Sequence, residues 1–217
     1  MKHTSQIINL LLAVALVVLA IKFTFVNTSS PVAPAPSEQQ MGAIEAIMTR
    51  SSVRSYTSQS VEAEKIETML RAAMAAPTAG NRQPWEFIVV TDTAILHKIP
   101  TIIKASQMAA KSQLAIVSLG LPGKSFAGNL SEYWVQDVSA ANENLLLAAH
   151  SLGLGAVWCG AYPDQGGRVA KLQELLGLPA DVYPLSVTVI GYPDSEPHVK
   201  DKWAPEKVSY NRYGVKQ

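Results

Sequence analysis

Two arginines that flank a pair of hydroxyl residues are the first group in the chain that could do chemistry. Arg50 and Arg54 enclose Ser51 and Ser52 in the sequence RSSVR. Guanidinium groups and hydroxyls together supply many hydrogen-bond donors, and this combination suits a phosphate group. The alternative is that both arginines lie in solvent at the end of a helix, which is the commoner arrangement. The segment is a candidate anion site.

A turn of small residues follows the first long amphipathic pattern. It reads APTAGNRQPW over 76–85 and leads directly into an apolar strand pattern. Pro77 stops the preceding helix, and the turn presents one amide side chain, Asn81. Small residues and glycine leave backbone N–H groups free and allow the chain to approach a planar ligand closely. We expect this turn to contact a flat ligand.

Composition argues against several other kinds of site. The chain of 217 residues has 18 Lys and Arg against 17 Asp and Glu, which disfavours nucleic acid as the main partner. Cys159 is the single cysteine, so no intrachain disulfide can form, and no Cys/His cluster has metal-ligand spacing. A lone cysteine is most often a small buried hydrophobe, with a redox role as the alternative.

Glycine-rich nucleotide motifs are also missing from the sequence. The loop 120–129 (GLPGKSFAGN) has neither GxGxxG nor GxxxxGK[ST] spacing, so no ordinary dinucleotide or triphosphate site is indicated. We interpret this loop as a mobile cover or a substrate-side segment.

The N-terminus differs in kind from the rest. Lys2 and His3 precede the apolar run 7–21, and the apolar character extends to Val26. This pattern predicts a signal peptide or a signal-anchor transmembrane helix over 1–26. The small-x-small cleavage motif at 33–35 is followed by Pro36, which would hinder cleavage and favours the uncleaved anchor.

The same segment predicts the domain organisation and the localisation. Residues 27–40 are rich in Pro, Ser and Ala and read as a linker, so the globular domain is expected over 41–217. We expect a membrane-anchored or exported protein of the bacterial inner membrane or periplasm. Which side of the membrane the domain faces stays open, because few basic residues flank the apolar run.

Helical patterns alternate with four apolar strand patterns in the predicted domain. The strands are expected at about 87–91, 113–119, 156–160 and 184–190. The expected helices are 43–48, a helix capped by Ser60, 92–98 ended by Pro100, 101–111, 135–152 and 169–176. This alternation predicts an α+β (α/β-like) domain of two or three layers.

Four stretches, taken in order, resemble the FMN-dependent nitroreductase family. They are RSSVR at 50–54, APTAGNRQPWEFIVV at 76–90, GLGAVWCGAYP at 153–163, and GYP followed by KDK within 191–202. The resemblance covers about Met41 to Tyr213. It implies a nitroreductase-type central mixed β-sheet flanked by helices, and an interlaced homodimer that holds FMN at the subunit interface.

The resemblance also implies a role for particular residues. Four would hold the phosphate and ribityl chain: Arg50, Ser51, Ser52 and Arg54. Three would approach the isoalloxazine from the other subunit: Pro77, Thr78 and Asn81. Three would line the ring: Trp158, Cys159 and Gly160. Lys200 and Lys202 would close on the phosphate. The family often has Arg at the position of Lys202; lysine keeps the positive charge but cannot form the two parallel hydrogen bonds of a guanidinium.

The implied activity is electron transfer from NADH or NADPH through FMN to a nitroaromatic, a quinone or a similar acceptor, with ping-pong kinetics. The cofactor supplies the chemistry, so no catalytic side chain is expected. One alternative is other flavin chemistry on the same scaffold, such as dehalogenation or flavin fragmentation, which the region 102–133 would decide. The other is a membrane-tethered flavin-binding module without turnover.

Overall fold

The computed structural model describes residues 41–217. The helices of this part of the chain are α1 (Ala43–Thr49), α2 (Ala63–Met74), α3 (Thr93–Ile102), α4 (Tyr133–Ser151) and α5 (Arg168–Leu176). The strands are β1 (Trp85–Val90), β2 (Leu114–Gly120), β3 (Gly155–Gly160) and β4 (Tyr183–Gly191). Each predicted strand is present within two residues of its expected bounds.

The four strands form one sheet in the order β1-β2-β4-β3, and each neighbouring pair is antiparallel. Beyond β3, Ser52 pairs with Ala156 in a parallel bridge, so both pairing directions occur at this edge. Helices cover both faces of the sheet. The predicted α+β fold with a central sheet flanked by helices is confirmed.

Burial on both faces explains why β2 and β4 read as continuous apolar runs rather than as alternating patterns. One face packs against α2 and α4, and the core there includes Met69, Trp134, Val138, Leu145 and Ile116. The other face packs against α3 and α5, and the core there includes Leu96, Ile99, Leu172, Val117 and Val187. The domain therefore has three layers.

Two helix boundaries differ from prediction. Helix α2 begins at Ala63 with Glu62 as its N-cap, and no side chain caps it, so the predicted cap at Ser60 is wrong. Pro100 lies inside α3 rather than ending it. Ile99 and Pro100 are buried, and the helix continues until the Ile103 N–H bonds to the Ile99 carbonyl at 2.9 Å, because this burial outweighs the single hydrogen bond that proline removes.

The segment after α3 is also tighter than predicted. Lys104–Lys111 forms a 3₁₀ helix with a kink at Ser106, where an α-helix was expected over 101–111. The Ser106 hydroxyl donates to the Ile103 carbonyl at 2.7 Å. Because serine competes for backbone carbonyls in this way, it favours a break in the α-helical ladder.

The predicted localisation requires correction. None of the helices in residues 41–217 combines the length and the apolar character that crossing a membrane requires, so a membrane-anchored or exported protein is not supported. The predicted anchor, 1–26, and the predicted linker, 27–40, lie outside the described residues.

A substitution at Gly120 tests how α4 packs on the sheet. A Cβ at this position would lie 1.9 Å from an indole carbon of Trp134, whose side chain is almost fully buried and has nowhere to move. We expect Gly120→Ala to lower the free energy of unfolding by about 1–3 kcal/mol in chemical denaturation. Gly123→Ala is the matched control, because its Cβ would meet no atom within 4 Å. Equal stabilities of the two variants would contradict this packing.

Candidate functional site

The RSSVR segment lines a cavity of about 520 Å³ at the β3 edge of the sheet. The chain leaves α1 at Thr49 and runs in extended form beside β3 and the end of β4. Residues of the segment that follows β4 close the opposite wall of the cavity. The lining residues are Arg50, Ser51, Ser52, Val53, Arg54, Ser55, Ser195, Glu196, Pro197, His198, Lys200 and Lys202.

Two glycines allow the extended segment to lie against the sheet. A Cβ at Gly155 would stand 2.7 Å from the Val53 side chain, and one at Gly191 would stand 3.0 Å from the Tyr56 ring. With both Cβ atoms absent, the Val53 N–H reaches the Ala156 carbonyl at 3.0 Å. The two close contacts place the whole segment, and with it the arginines.

The predicted basic residues meet in this cavity. Arg50 is mostly buried, and its Nε lies 3.3 Å from Oε1 of Glu143 on α4. Arg54 is exposed and donates from Nη1 to the Ser52 carbonyl at 3.4 Å. Lys200 and Lys202 are exposed. Within residues 41–217 these last three side chains form no ion pair, so their charges are available to a ligand.

The far wall of the cavity was not predicted in full. Ser195, Glu196 and His198 line it together with the two lysines. The hydroxyl of Ser55 donates to a carboxylate oxygen of Asp194, which ties the arginine segment to the segment after β4. These residues belong to no recognisable motif, so only the chain path after β4 brings them to the site. Positive charge still dominates, because Glu196 is the single carboxylate among the lining residues.

A second cavity of about 570 Å³ shares Arg54 and Ser55 with the first. Its other lining residues are Tyr56, Gln107, Met108, Ala110 and Lys111. The Tyr56 hydroxyl lies 2.6 Å from the Val53 carbonyl oxygen and 3.0 Å from that of Val189. Burial raises the pKa of Tyr56 well above its ordinary value, so the phenol stays protonated. The two cavities meet at Arg54.

Trp158, Cys159 and Gly160 lie on β3, the strand beside which the arginine segment runs, and their contact with a flavin ring stays a prediction. Strand alternation directs the Cys159 side chain into the core beside α3 and α5, while the half-buried Trp158 packs with the α2 and α4 core. A flat ligand on one face of the sheet therefore contacts at most one of these side chains. A Cβ on Gly160 would meet no atom within 4 Å, so open space lies in front of it.

Cys159 is buried, with its thiol donating to the Ala105 carbonyl at 3.7 Å. Burial raises the pKa of Cys159 to about 11, and the nearby positive charge of Arg54 only partly offsets this effect. The side chain behaves as the small buried hydrophobe that the sequence predicted. Its connection to Ala105 joins β3 to the 3₁₀ segment that lines the second cavity.

The turn that carries Pro77, Thr78 and Asn81 lines neither cavity. It packs near the N-terminal end of α4, where the Ala79 N–H donates to Asp137. Arg50 instead contacts Glu143, six residues further along α4. That spacing corresponds to about 9 Å along the helix axis and about 120° around it. One chain therefore does not bring the predicted ring-contacting turn to the arginine cavity.

The reactivity of the Cys159 thiol tests whether this side chain is buried. Because the raised pKa leaves only about one thiol in a thousand ionised at pH 8, and because the side chain is covered, we expect no rapid reaction with a thiol reagent such as DTNB. The same protein in denaturant should react with one equivalent. Rapid stoichiometric labelling of the native protein at pH 8 would contradict the assigned environment.

Comparison with known proteins points to one family. The model of the nitroreductase family matches residues 47–128 and 127–192. An Archaeoglobus fulgidus protein with the provisional name NADH dehydrogenase/NAD(P)H nitroreductase is 41% identical over 177 residues, which cover 78% of this chain and 98% of the relative.

Solved structures agree as well. A Parabacteroides distasonis protein with the same provisional name is 40% identical at a TM-score of 0.75, covering 79% of this chain and 98% of that one. The NADPH:FMN oxidoreductase from Vibrio harveyi, solved with NAD⁺, is 26% identical at a TM-score of 0.71, covering 79% of this chain and 77% of that one. The chain belongs to the nitroreductase family.

Proposed function

We propose that this protein is an FMN-dependent oxidoreductase that takes electrons from NADH or NADPH and delivers them to a small organic acceptor, such as a nitroaromatic or a quinone. The relatives are named as NAD(P)H nitroreductases and as NADPH- and FMN-linked reductases. Their names confirm the predicted enzyme class, an NAD(P)H-dependent flavin oxidoreductase. The domain that carries this activity is proposed to span 41–217.

The cationic cavity is the observation that carries the proposal. Arg50, Arg54, Lys200 and Lys202 all line it, together with the hydroxyls of Ser51 and Ser52. A phosphate monoester such as that of FMN needs both positive charge and many donors. Because Glu143 takes the Nε side of the Arg50 guanidinium, the terminal nitrogens remain available for two parallel bonds to phosphate oxygens.

The second cavity adjoins the first at Arg54 and Ser55, so we propose that it takes the flavin ring. It begins at Arg54 and continues past Gln107 to Lys111. Bound there, FMN would supply the chemistry of electron transfer between NAD(P)H and the acceptor. Arg54 and Lys111 place positive charge beside the ring, which favours the uptake of negative charge. Gly160 lines neither cavity, but a Cβ there would meet no atom within 4 Å, so its backbone is open to an approaching ligand.

We propose that a second copy of the chain completes the site. The turn with Pro77, Thr78 and Asn81 lines neither cavity of its own chain, so it is available to the cavity of a partner. Large apolar side chains stand exposed on α1 and on the C-terminal segment: Ile44, Ile47, Met48, Trp203 and Tyr213. Exposed apolar residues grouped in this way are typical of an interface. An interlaced homodimer would cover them.

Donor and acceptor would occupy the same space over the ring in turn, which predicts ping-pong kinetics. Plots of reciprocal rate against reciprocal NAD(P)H concentration should be parallel at several fixed acceptor concentrations. Intersecting lines would mean that both substrates bind together, and would contradict a single shared space.

The flavin spectrum tests the proposed function most directly. Purified protein, reconstituted with FMN if necessary, should show the visible absorption of oxidised flavin. Anaerobic addition of NADH or NADPH should bleach that absorption, and the faster reductant identifies the donor. Adding a quinone or a nitroaromatic should restore it. Absence of bound flavin after reconstitution would overturn the proposal.

Variants of the cavity test the phosphate assignment. Each charge-assisted hydrogen bond to phosphate contributes enough that Arg50→Ala or Lys200→Ala should weaken FMN binding about ten- to hundredfold. Riboflavin lacks the phosphate, so its weaker affinity should stay unchanged in both variants. Lys98→Ala, a change on the exposed surface of α3, is the charge-matched control. Equal losses for FMN and riboflavin would place the phosphate elsewhere.

A heterodimer tests the shared site. One copy would carry Arg50→Ala and the other Asn81→Ala, with different affinity tags to purify the mixed species. If each site uses Arg50 of one copy and Asn81 of the other, one site is intact and one is doubly damaged. We expect about one FMN per dimer at wild-type affinity. Two weakened sites and none of wild-type affinity would place both residues in the same copy's site, since each site would then carry one substitution. A monomer of 23.3 kDa by light scattering would exclude a shared site altogether.

A further inference from the structure

The turn after α2 holds an unusual number of strained residues. Gly80, Asn81 and Gln83 all have positive φ angles, at 58°, 52° and 49°. Glycine adopts this left-handed conformation freely, whereas asparagine and glutamine do so only with backbone strain. A strained backbone of this kind persists only where its surroundings hold it in place.

Most hydrogen bonds of the turn stay inside it. The Asn81 N–H donates to the Thr78 carbonyl at 3.1 Å, and the Gln83 N–H donates to the Thr78 hydroxyl at 3.2 Å. The Gln83 side-chain amide donates to the Asn81 side-chain oxygen at 2.9 Å. These local bonds shape the turn but do not fix its position on the domain.

One hydrogen bond joins residues 77–83 to another element within the part of the chain that the structure describes. The Ala79 N–H donates to Oδ1 of Asp137 on α4 at 2.9 Å. The Phe126 ring also lies against Gly80, and the Arg82 guanidinium stands over its face in a cation–π contact. Phe126 belongs to a loop, whereas Asp137 belongs to a long, well-packed helix.

Asp137 is an energetically unfavourable residue to bury at this position. Its relative exposure is only 5%, and its Oδ2 has no hydrogen-bond partner in residues 41–217. Burying a carboxylate with few partners costs several kcal/mol, whereas an apolar side chain would pack there without that penalty. Packing alone therefore does not explain Asp137.

We propose that Asp137 is the positioning residue that fixes the turn 77–83 for contact with flavin. Asp137 accepts from the Ala79 N–H and so holds the turn, which presents Thr78 and Asn81 to the flavin ring. Since α4 also carries Glu143, which contacts Arg50, the same helix positions the cavity of its own chain and the turn that is offered to the partner's cavity. This inference rests on the proposed function for its flavin step, but not for its effect on the turn.

Hydrogen exchange and FMN titration of the full chain test the proposal together. Asp137→Ala removes the acceptor, so amides of residues 78–83 should exchange about tenfold faster, and FMN affinity should fall about tenfold. Asp137→Asn keeps an oxygen for the Ala79 N–H, so it should stay within about twofold of the wild type in both measurements. Asp137→Leu replaces the alanine variant if that protein does not fold.

Asn144→Ala is the matched control. It also removes a bond from an α4 side chain to backbone, because Asn144 Nδ2 donates to the Ala72 carbonyl at 3.1 Å, but that bond leads to α2. We expect it to lower stability without changing exchange in the turn or the flavin spectrum. A similar effect from Asn144→Ala would reduce Asp137 to a general structural role and overturn the proposal.

Two further outcomes are decisive. Unchanged exchange in Asp137→Ala, or faster exchange with unchanged FMN affinity, would overturn the positioning role. If the wild type itself binds no FMN, the proposed function fails, and the exchange data alone still decide whether Asp137 holds the turn.

Discussion

The close approach of residues 50–56 to the edge of the sheet is the contact on which the rest of the site depends. It requires that Gly155 and Gly191 have no side chains, because Val53 and Tyr56 occupy the space that two Cβ atoms would fill. With the segment fixed there, Arg50 and Arg54 point into one cavity, and the Ser55–Asp194 bond brings the segment after β4 against them. The positively charged cavity at this edge therefore depends on glycine at positions 155 and 191.

Helix α4 is the second constraint, because its hydrogen bonds to the sheet fix its position relative to the site. Asn142 is fully buried on this helix, and its Oδ1 accepts from Ser118 on β2 and from Thr188 on β4, both at 2.9 Å. A polar contact of this kind fixes the position of the helix more strictly than apolar packing, since any sliding leaves buried hydroxyls unpaired. The helix that is held in this way carries Asp137 and Glu143, so sheet, turn and cavity share one frame.

The sequence predicted the strands well because each is a short apolar run between turn residues, and burial of β2 and β4 on both faces removes any ambiguity about the buried side. Arg50, Arg54, Lys200 and Lys202 were found because charge and motif coincide there. Gln107 and Lys111 were missed, since they lie in a segment whose pattern fits an α-helix equally well, and the 3₁₀ geometry depends on Ser106 bonding to Ile103. Asp137 was missed because a single acidic residue on a helix carries no signal until its partner, the Ala79 N–H, is known.

The division of the site between two copies has a thermodynamic consequence. If the cavity comes from one chain and the turn from the other, FMN binds the dimer better than the separated chains, and binding must then stabilise the dimer by the same factor. In the proposed dimer, the exposed Ile44, Met48 and Trp203 side chains would supply the apolar part of the association, and contacts with the flavin would add to it. Strain at Asn81 and Gln83 fits this scheme, because a turn that is held rigid by its own helix loses little entropy when it meets the ring of a ligand in the partner. In the proposed dimer the turn would already be ordered before FMN binds, so the affinity for FMN would be higher than with a flexible turn.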